Sequence, residues 1–226
     1  MAVIGDIVNS KNLSNRNAFQ QNLQSNLSRL NLKYKDALAS PFMITLGDEF
    51  QGLIHDPSEL MEIADFNRIR LYDKARFRIG IGVGEIVTDI DPDSSLGADG
   101  PAYWKAREAL EHIRENDDYG RTDIAMCFGE GICRDSTQEL VNNTLRLCGL
   151  IEHRWSKGQL ATAHMVVSKY GYSENFTQKE VADDLNSSSQ HVNHIFQSSG
   201  LFQYLDAKRE INTVIGRLVT NGGEQQ

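Results

Sequence analysis

Apolar positions along the chain first recur at strand spacing. "AVIGDIV", from Ala2, reads as a short buried strand ended by the polar "NSKN". From about Ser14 the period lengthens: Phe19, Leu23, Leu27 and Leu30 fall on one helix face. "PFMITLG" and "EFQGLI" are two further strands, separated by little more than Gly47-Asp48, a two-residue hairpin turn in which Gly tolerates positive φ. Asp56-Pro57-Ser58-Glu59 reads as a helix start, with Asp56 as cap and Pro57 at the first helical position. Leu60, Ile63, Ala64 and Leu71 supply that helix's stripe. In "RFRIGIGVGEIV", Phe77, Ile79, Ile81 and Val83 alternate with Arg78, Gly80, Gly82 and Gly84. That period of two predicts a strand whose glycine face lets a helix or a ligand lie against its backbone. A helix over 100–115 and a strand at "TDIAMCF" follow.

The order strand, helix, strand, strand, helix, strand is the βαββαβ arrangement of ferredoxin-like sheets, so the fold class is α+β with a palm-like sheet. This domain spans 1–134, and an all-α domain spans 135–226. "STQELVNNTLRLCGLIEHRW" and "KGQLATAHMVVSKY" are helical in pattern. Thr177 and Glu180 then form a capping box, Val181, Ala182 and Leu185 face inward, and Asn186-Ser187 turn the chain. Val192 and Ile195 anchor the next helix, giving a helix-turn-helix pattern. Leu201, Leu205, Ile211, Ile215 and Leu218 mark a last helix.

The hydrophobic share of 40% and charged share of 24% fit a soluble globular chain of 226 residues. A formal net charge of −8 argues against a general binder of nucleic acid or anionic membrane. Cys127, Cys133 and Cys148 form no CxxC pair, which reads as reduced thiols. No apolar run approaches the ~20 residues of a membrane span, and a strand from residue 2 leaves no room for a signal peptide. A cytoplasmic location without membrane partners is expected.

The candidate chemistry lies at "VIGDIVNS" and "ITLGDEF". In a βαββαβ sheet the first and third strands are central and antiparallel, which brings Asp6 and Asp48 within roughly 5 Å of backbone separation. Two such carboxylates repel unless a cation lies between them. Mg²⁺, or Mn²⁺, suits few carboxylates plus phosphate oxygens. Asn9, Ser10 and Lys11 lead into the first helix, whose free N–H groups can cradle phosphates, and Gly47 lets the hairpin approach them. The plain alternative is a pair of solvated turn residues.

"VIGDIVNS", "ITLGDEFQGLI", "RIGIGVGEIV" and "GPAYWKAREALE" together resemble the successive core motifs of class III nucleotidyl cyclases, and "GDEF" resembles the hairpin of GGDEF diguanylate cyclases. With the helix-turn-helix, almost the whole chain resembles the SatD family, associated with bacterial acid-adaptation operons. The cyclase resemblance implies metal ligation by Asp6, by the carbonyl of Ile7, by Asp48 and by Glu49. The chain departs from the cyclase pattern where catalysis is concerned. Ile44 stands in the region of the base-reading Lys, Trp104 and Glu108 replace the Asn and Arg of the helix, and Leu46 precedes Gly47 where GGDEF enzymes have Gly. Arg107, one residue away, points about 100° off. Trp104 is a candidate for stacking on a purine and Arg107 for contacting a nucleotide. Both also read as ordinary groove or surface residues.

In the helix-turn-helix, Ser189, Gln190, Asn193 and Gln197 are candidates for reading base edges. From Gly171 onward, however, four basic residues face seven acidic ones, and 187–200 contains no Lys or Arg. Because phosphate neutralisation dominates DNA affinity, DNA binding would need a homodimer or another partner. His191 and His194 sit three apart on the same helix, a spacing that fits a surface face better than a metal. The expectation is a metal- and nucleotide-binding regulator with a degenerate cyclase-like domain, acting on transcription in stress or acid adaptation. Its ligand would be a nucleoside triphosphate or cyclic nucleotide. The alternatives are an active Mg²⁺/Mn²⁺-dependent cyclase, or a DNA-binding protein whose palm domain only dimerises.

Overall fold

A computed structural model describes residues 1–12, 15–116 and 118–223. Five strands form one sheet: β1 (Ala2–Ile7), β2 (Leu38–Ile44), β3 (Phe50–Ile54), β4 (Phe77–Val83) and β5 (Ile124–Phe128), in the order β2-β3-β1-β4-β5. β1 is flanked by β3 and β4, both antiparallel to it, and β5 joins β4 in parallel. Among the described residues the α-helices are α1 (Arg16–Lys33), α2 (Leu60–Arg70), α3 (Pro101–Glu115), α4 (Asp135–Glu152), α5 (Lys157–Tyr170), α6 (Gln178–Asp184), α7 (Ser189–Ser199) and α8 (Leu201–Gly223). The mixed α+β class is as expected. The helix start expected at Ser14 lies outside the described residues.

Alternation along β1 divides the helices between two faces. Val3 and Ile7 point into a core shared with α1 and α2, while Ala2 and Ile4 meet Ala102, Ala106 and Leu110 of α3. The glycine face of β4 is the reason α3 lies so close. A Cβ at Gly82 would stand 1.9 Å from the Ala102 carbonyl oxygen, and one at Gly80 2.2 Å from that of Ala106. Of the two occupants the glycine face allowed, it therefore receives a helix.

Two local expectations change. The β2–β3 connection is not a two-residue turn: Thr45–Glu49 intervene, closed by Thr45 N–H donating to the Glu49 carbonyl at 2.9 Å, with Gly47 at φ +65°. Asp56-Pro57 opens a 3₁₀ turn before α2, with the Asp56 carboxylate accepting from Ser58 N–H at 2.9 Å. The strand at "RFRIGIGVGEIV" stops at Val83, where Gly84 passes α3.

The two halves share one core. A single apolar cluster runs from Val3 and Phe50 through Ile63 and Phe77 to Val141, Val166, Leu205 and Ile215. α4 also covers the edge strand β5 with side chains: Asn142 accepts from Met126 N–H and donates to its carbonyl, both at 2.8 Å, and Gln138 accepts from Phe128 N–H. The boundary drawn at 134/135 thus falls inside a continuous core. The three cysteines are unpaired, and burial pushes the Cys127 thiol up to about 11. Among the described residues no helix is long and apolar enough to cross a membrane.

Candidate functional site

Asp6 sits on the α3 face of β1, opposite Arg78 of β4. Arg114, in the last turn of α3, donates to its Oδ2 from both Nη2 (2.8 Å) and Nε (3.3 Å), and Arg78 lies 3.7 Å from the same oxygen. The Arg114 guanidinium is correspondingly held above its ordinary pKa, chiefly by Asp6. The other oxygen, Oδ1, is buried with no hydrogen-bond partner, as is Arg78 Nε. The β1–β3 register ends at Gly5 opposite Phe50. Beyond it Glu49 leaves the strand and Asp48 lies in the turn, its N–H donating to the Leu46 carbonyl at 2.7 Å. Phe50 lies in the core with α1 and α2, and alternation turns the adjacent Glu49 toward α3, the side on which Asp6 sits. Glu49 in turn pairs with Arg107 of α3 at 3.5 Å.

The segment after β1 is expected to lead into a phosphate cradle at the start of α1. Asn9 is exposed at φ +55°, Ser10 is buried and Lys11 is exposed. The Asn15 side chain caps α1 by accepting from Ala18 N–H. Gly47 reaches this helix start: its carbonyl accepts from Gln20 Nε2 at 2.9 Å, and a Cβ there would lie 3.3 Å from the Arg16 guanidinium. Sequence reasoning missed Arg16, Arg78 and Arg114, although Arg78 alternates with the strand's apolar residues and Arg114 lies seven residues, or two turns, from Arg107. Among the described residues no group of three or more His, Cys, Asp or Glu side chains is placed to hold a metal ion.

Trp104 is not part of this gathering. It lies at the start of α3, near Val83, while Asp6 pairs with Arg78. Five residues of β4 separate the two ends, roughly 17 Å.

In the helical half, α6 carries the expected capping box: Thr177 N–H donates to Glu180 at 2.7 Å and Glu180 N–H to Thr177 Oγ at 3.2 Å. Asn186 at φ +48° helps turn the chain into α7, which packs on α6. Ser189, Gln190 and Gln197 are exposed on α7, whereas Asn193 Oδ1 is tied to Gln178 of α6 at 3.1 Å.

A second charged cluster lies between the halves. Buried Asp65 of α2 accepts from Arg68 (2.7 Å), from Lys208 of α8 (2.7 Å) and from the Tyr172 hydroxyl (2.5 Å). Arg68 continues to Asp123 and to Glu152, which also accepts from Tyr204. Burial raises the Asp65 carboxyl pKa, but Lys208 and Arg68 outweigh it and hold the group below its ordinary range. Glu152 and Asp123 are lowered in the same way, burial being outweighed in each case chiefly by Arg68, with a His153 hydrogen bond adding to it at Asp123. This network opens on a cavity of about 260 Å³ lined by His153 and His164. A signal for it existed in the sequence, since Lys208 falls on the apolar stripe of α8 between Leu205 and Ile211.

Residues 1–215 match the SatD family, so the chain belongs to it. No curated protein and no solved structure matches the chain.

Proposed function

We propose that this SatD-family protein is a nucleotide-responsive regulator whose sheet domain binds a metal-nucleotide without turning it over efficiently. The supporting observation is the divided Asp6 carboxylate: one oxygen is held by arginines, and the other is buried with nothing bonded to it. A buried carboxylate oxygen without a partner is costly, and a divalent cation is the partner that suits it.

The donor set does not suit a free metal ion, which would need more protein ligands. It suits Mg²⁺ or Mn²⁺ arriving on phosphates, since Mg²⁺ binds through one or two carboxylates plus phosphate oxygens. Asp6 and Glu49 would hold such an ion, with the Ile7 carbonyl and Asp48 beside them, and the ion would neutralise phosphate charge. The chain's own groups do the rest. Arg114 and Arg107 exchange a carboxylate for a phosphate, Arg16 and Lys11 stand at the start of α1, and Gly47 leaves room for the ligand. The order β2-β3-β1-β4, with every pair antiparallel, supports the ferredoxin-like reading of this part. The shared core offers a route from the sheet to α6 and α7, whose exposed Ser189, Gln190 and Gln197 would meet DNA or a protein partner, with the chain acting as a homodimer.

Thermal unfolding of the full chain with ATP, GTP and cyclic dinucleotides, each with and without Mg²⁺, tests this. The expected result is stabilisation by one nucleotide that requires Mg²⁺ and is lost in Asp6→Asn. No shift with any of them overturns it. Product analysis by mass spectrometry separates the active-cyclase alternative, for which cyclic product and pyrophosphate must appear.

A further inference from the structure

At the other end of β4 the sheet opens on a cavity of about 770 Å³, within the size range of small-molecule sites. It lies where the parallel strands β4 and β5 end, at Val83 and Phe128. Open α/β sheets take ligands outside the carboxyl ends of such strands. Much of its lining is hydrocarbon: Met1, Val83 and Ile132, with Leu218 and Val219 from α8. Gly84 lets the start of α3 close one side, because a Cβ there would stand 2.9 Å from the Ala102 nitrogen.

The polar part of the lining is one-sided. Trp104 is 59% exposed, yet its Nε1 donates to Asp99 at 2.8 Å, so the indole is oriented without being buried. Glu85 and Glu130 are exposed and, among the described residues, make no ion pair. Among the described lining residues the one cationic side chain, Lys105, is held by Glu108 at 2.7 Å, and the Met1 amino group is turned to the Ile54 carbonyl at 2.9 Å. What remains for a ligand is an aromatic face, two free carboxylates and an apolar floor.

We propose that this cavity binds a small organic cation, an ammonium or guanidinium group carried on a hydrocarbon chain. The indole face attracts such a cation through its quadrupole, the two carboxylates add Coulomb attraction, and the hydrocarbon enters between α8 and the strand ends. An anionic ligand would meet the two glutamates with the only lysine already engaged. The chain's net charge of −8 draws a cation in and repels an anion. This site stands at the opposite end of β4 from Asp6 and does not rest on nucleotide binding.

Calorimetry and indole fluorescence on the full chain, with hexyltrimethylammonium, hexanoate and 1-hexanol as probes, test the proposal. The cation is expected to bind saturably and to quench the indole signal, with hexanoate and hexanol at least tenfold weaker. W104A should weaken it about tenfold, the size of a partly desolvated cation–π contact. The double variant E85Q/E130Q should weaken it similarly and flatten its salt dependence. These side chains are exposed, and circular dichroism checks that each variant keeps the parent fold. Absence of saturable cation binding overturns the proposal. So does equal binding of hexanoate or hexanol, or an affinity unchanged in both variants.

Discussion

Two clusters in which carboxylates meet guanidinium groups, around Asp65 and around Asp6, are built to opposite ends. Around Asp65 both carboxylate oxygens are engaged by three donors from three elements, and the ion pairs to Arg68 and Lys208 are buried from solvent. Around Asp6 one oxygen is paired and the other bare, and two of the nearby arginines, Arg107 and Arg114, reach solvent. The Asp65 carboxylate is fully engaged and contributes to structure, even though the wider network opens on the His153 and His164 cavity. The Asp6 carboxylate keeps a bare buried oxygen beside arginines that reach solvent, which is what the proposed ligand role rests on. Counting ion pairs would not separate Asp65 from Asp6; asking which carboxylate oxygen is left over does.

The contrast is broken most sharply by Lys208→Met. Removing one partner of a buried pair leaves an uncompensated charge and is expected to cost about 3–5 kcal/mol in urea unfolding. Acid should attack the same cluster next. Asp65, Asp123 and Glu152 each have a lower pKa folded than unfolded. Their contribution is therefore complete above the ordinary carboxylate range, near pH 4, and is lost as pH falls through it. Unfolding free energy measured from pH 7 to pH 3 should drop steeply below about pH 5, and Asp65→Asn should flatten the drop. Gly82→Ala should cost about 1–3 kcal/mol by overpacking, because its new methyl meets the backbone of α3 rather than a movable side chain; it should also weaken any nucleotide response by moving Arg114. Asp6→Asn should change stability by only about 1 kcal/mol, while abolishing a Mg²⁺-dependent nucleotide shift. Arg107→Ala, with its side chain 62% exposed, should stay within about 0.5 kcal/mol.

Elements with a clear period were legible in the chain. The glycine alternation of β4 forecast a close-packed neighbour, and α3 supplies it; the capping box at Thr177 and Glu180 is made as its spacing required. The hairpin was harder. Gly47-Asp48 matches a two-residue turn, but Leu46, which is exposed, and Glu49 also lie outside the strands, so the connection is five residues long. Because strand side chains alternate, one residue of uncertainty exchanges Asp48 for Glu49. The arginines were missed for another reason. Arg78 and Arg114 come from the fourth strand and the far end of α3, and only tertiary packing brings them to Asp6. Lys208 stood in plain view as a charge on an apolar stripe, but nothing local names Asp65, 143 positions away, as its partner.

That long-range pairing limits modularity. A chain stopped between β5 and α4 would keep Asp65 and Arg68 but lose Lys208, Glu152 and Tyr172 together, stranding charge on α2 and baring its apolar flank. A foreign effector spliced on at that seam would have to bring a replacement ammonium to the same spot. The sheet and its helical tail are thus transferable as one inherited block, not as shuffled parts.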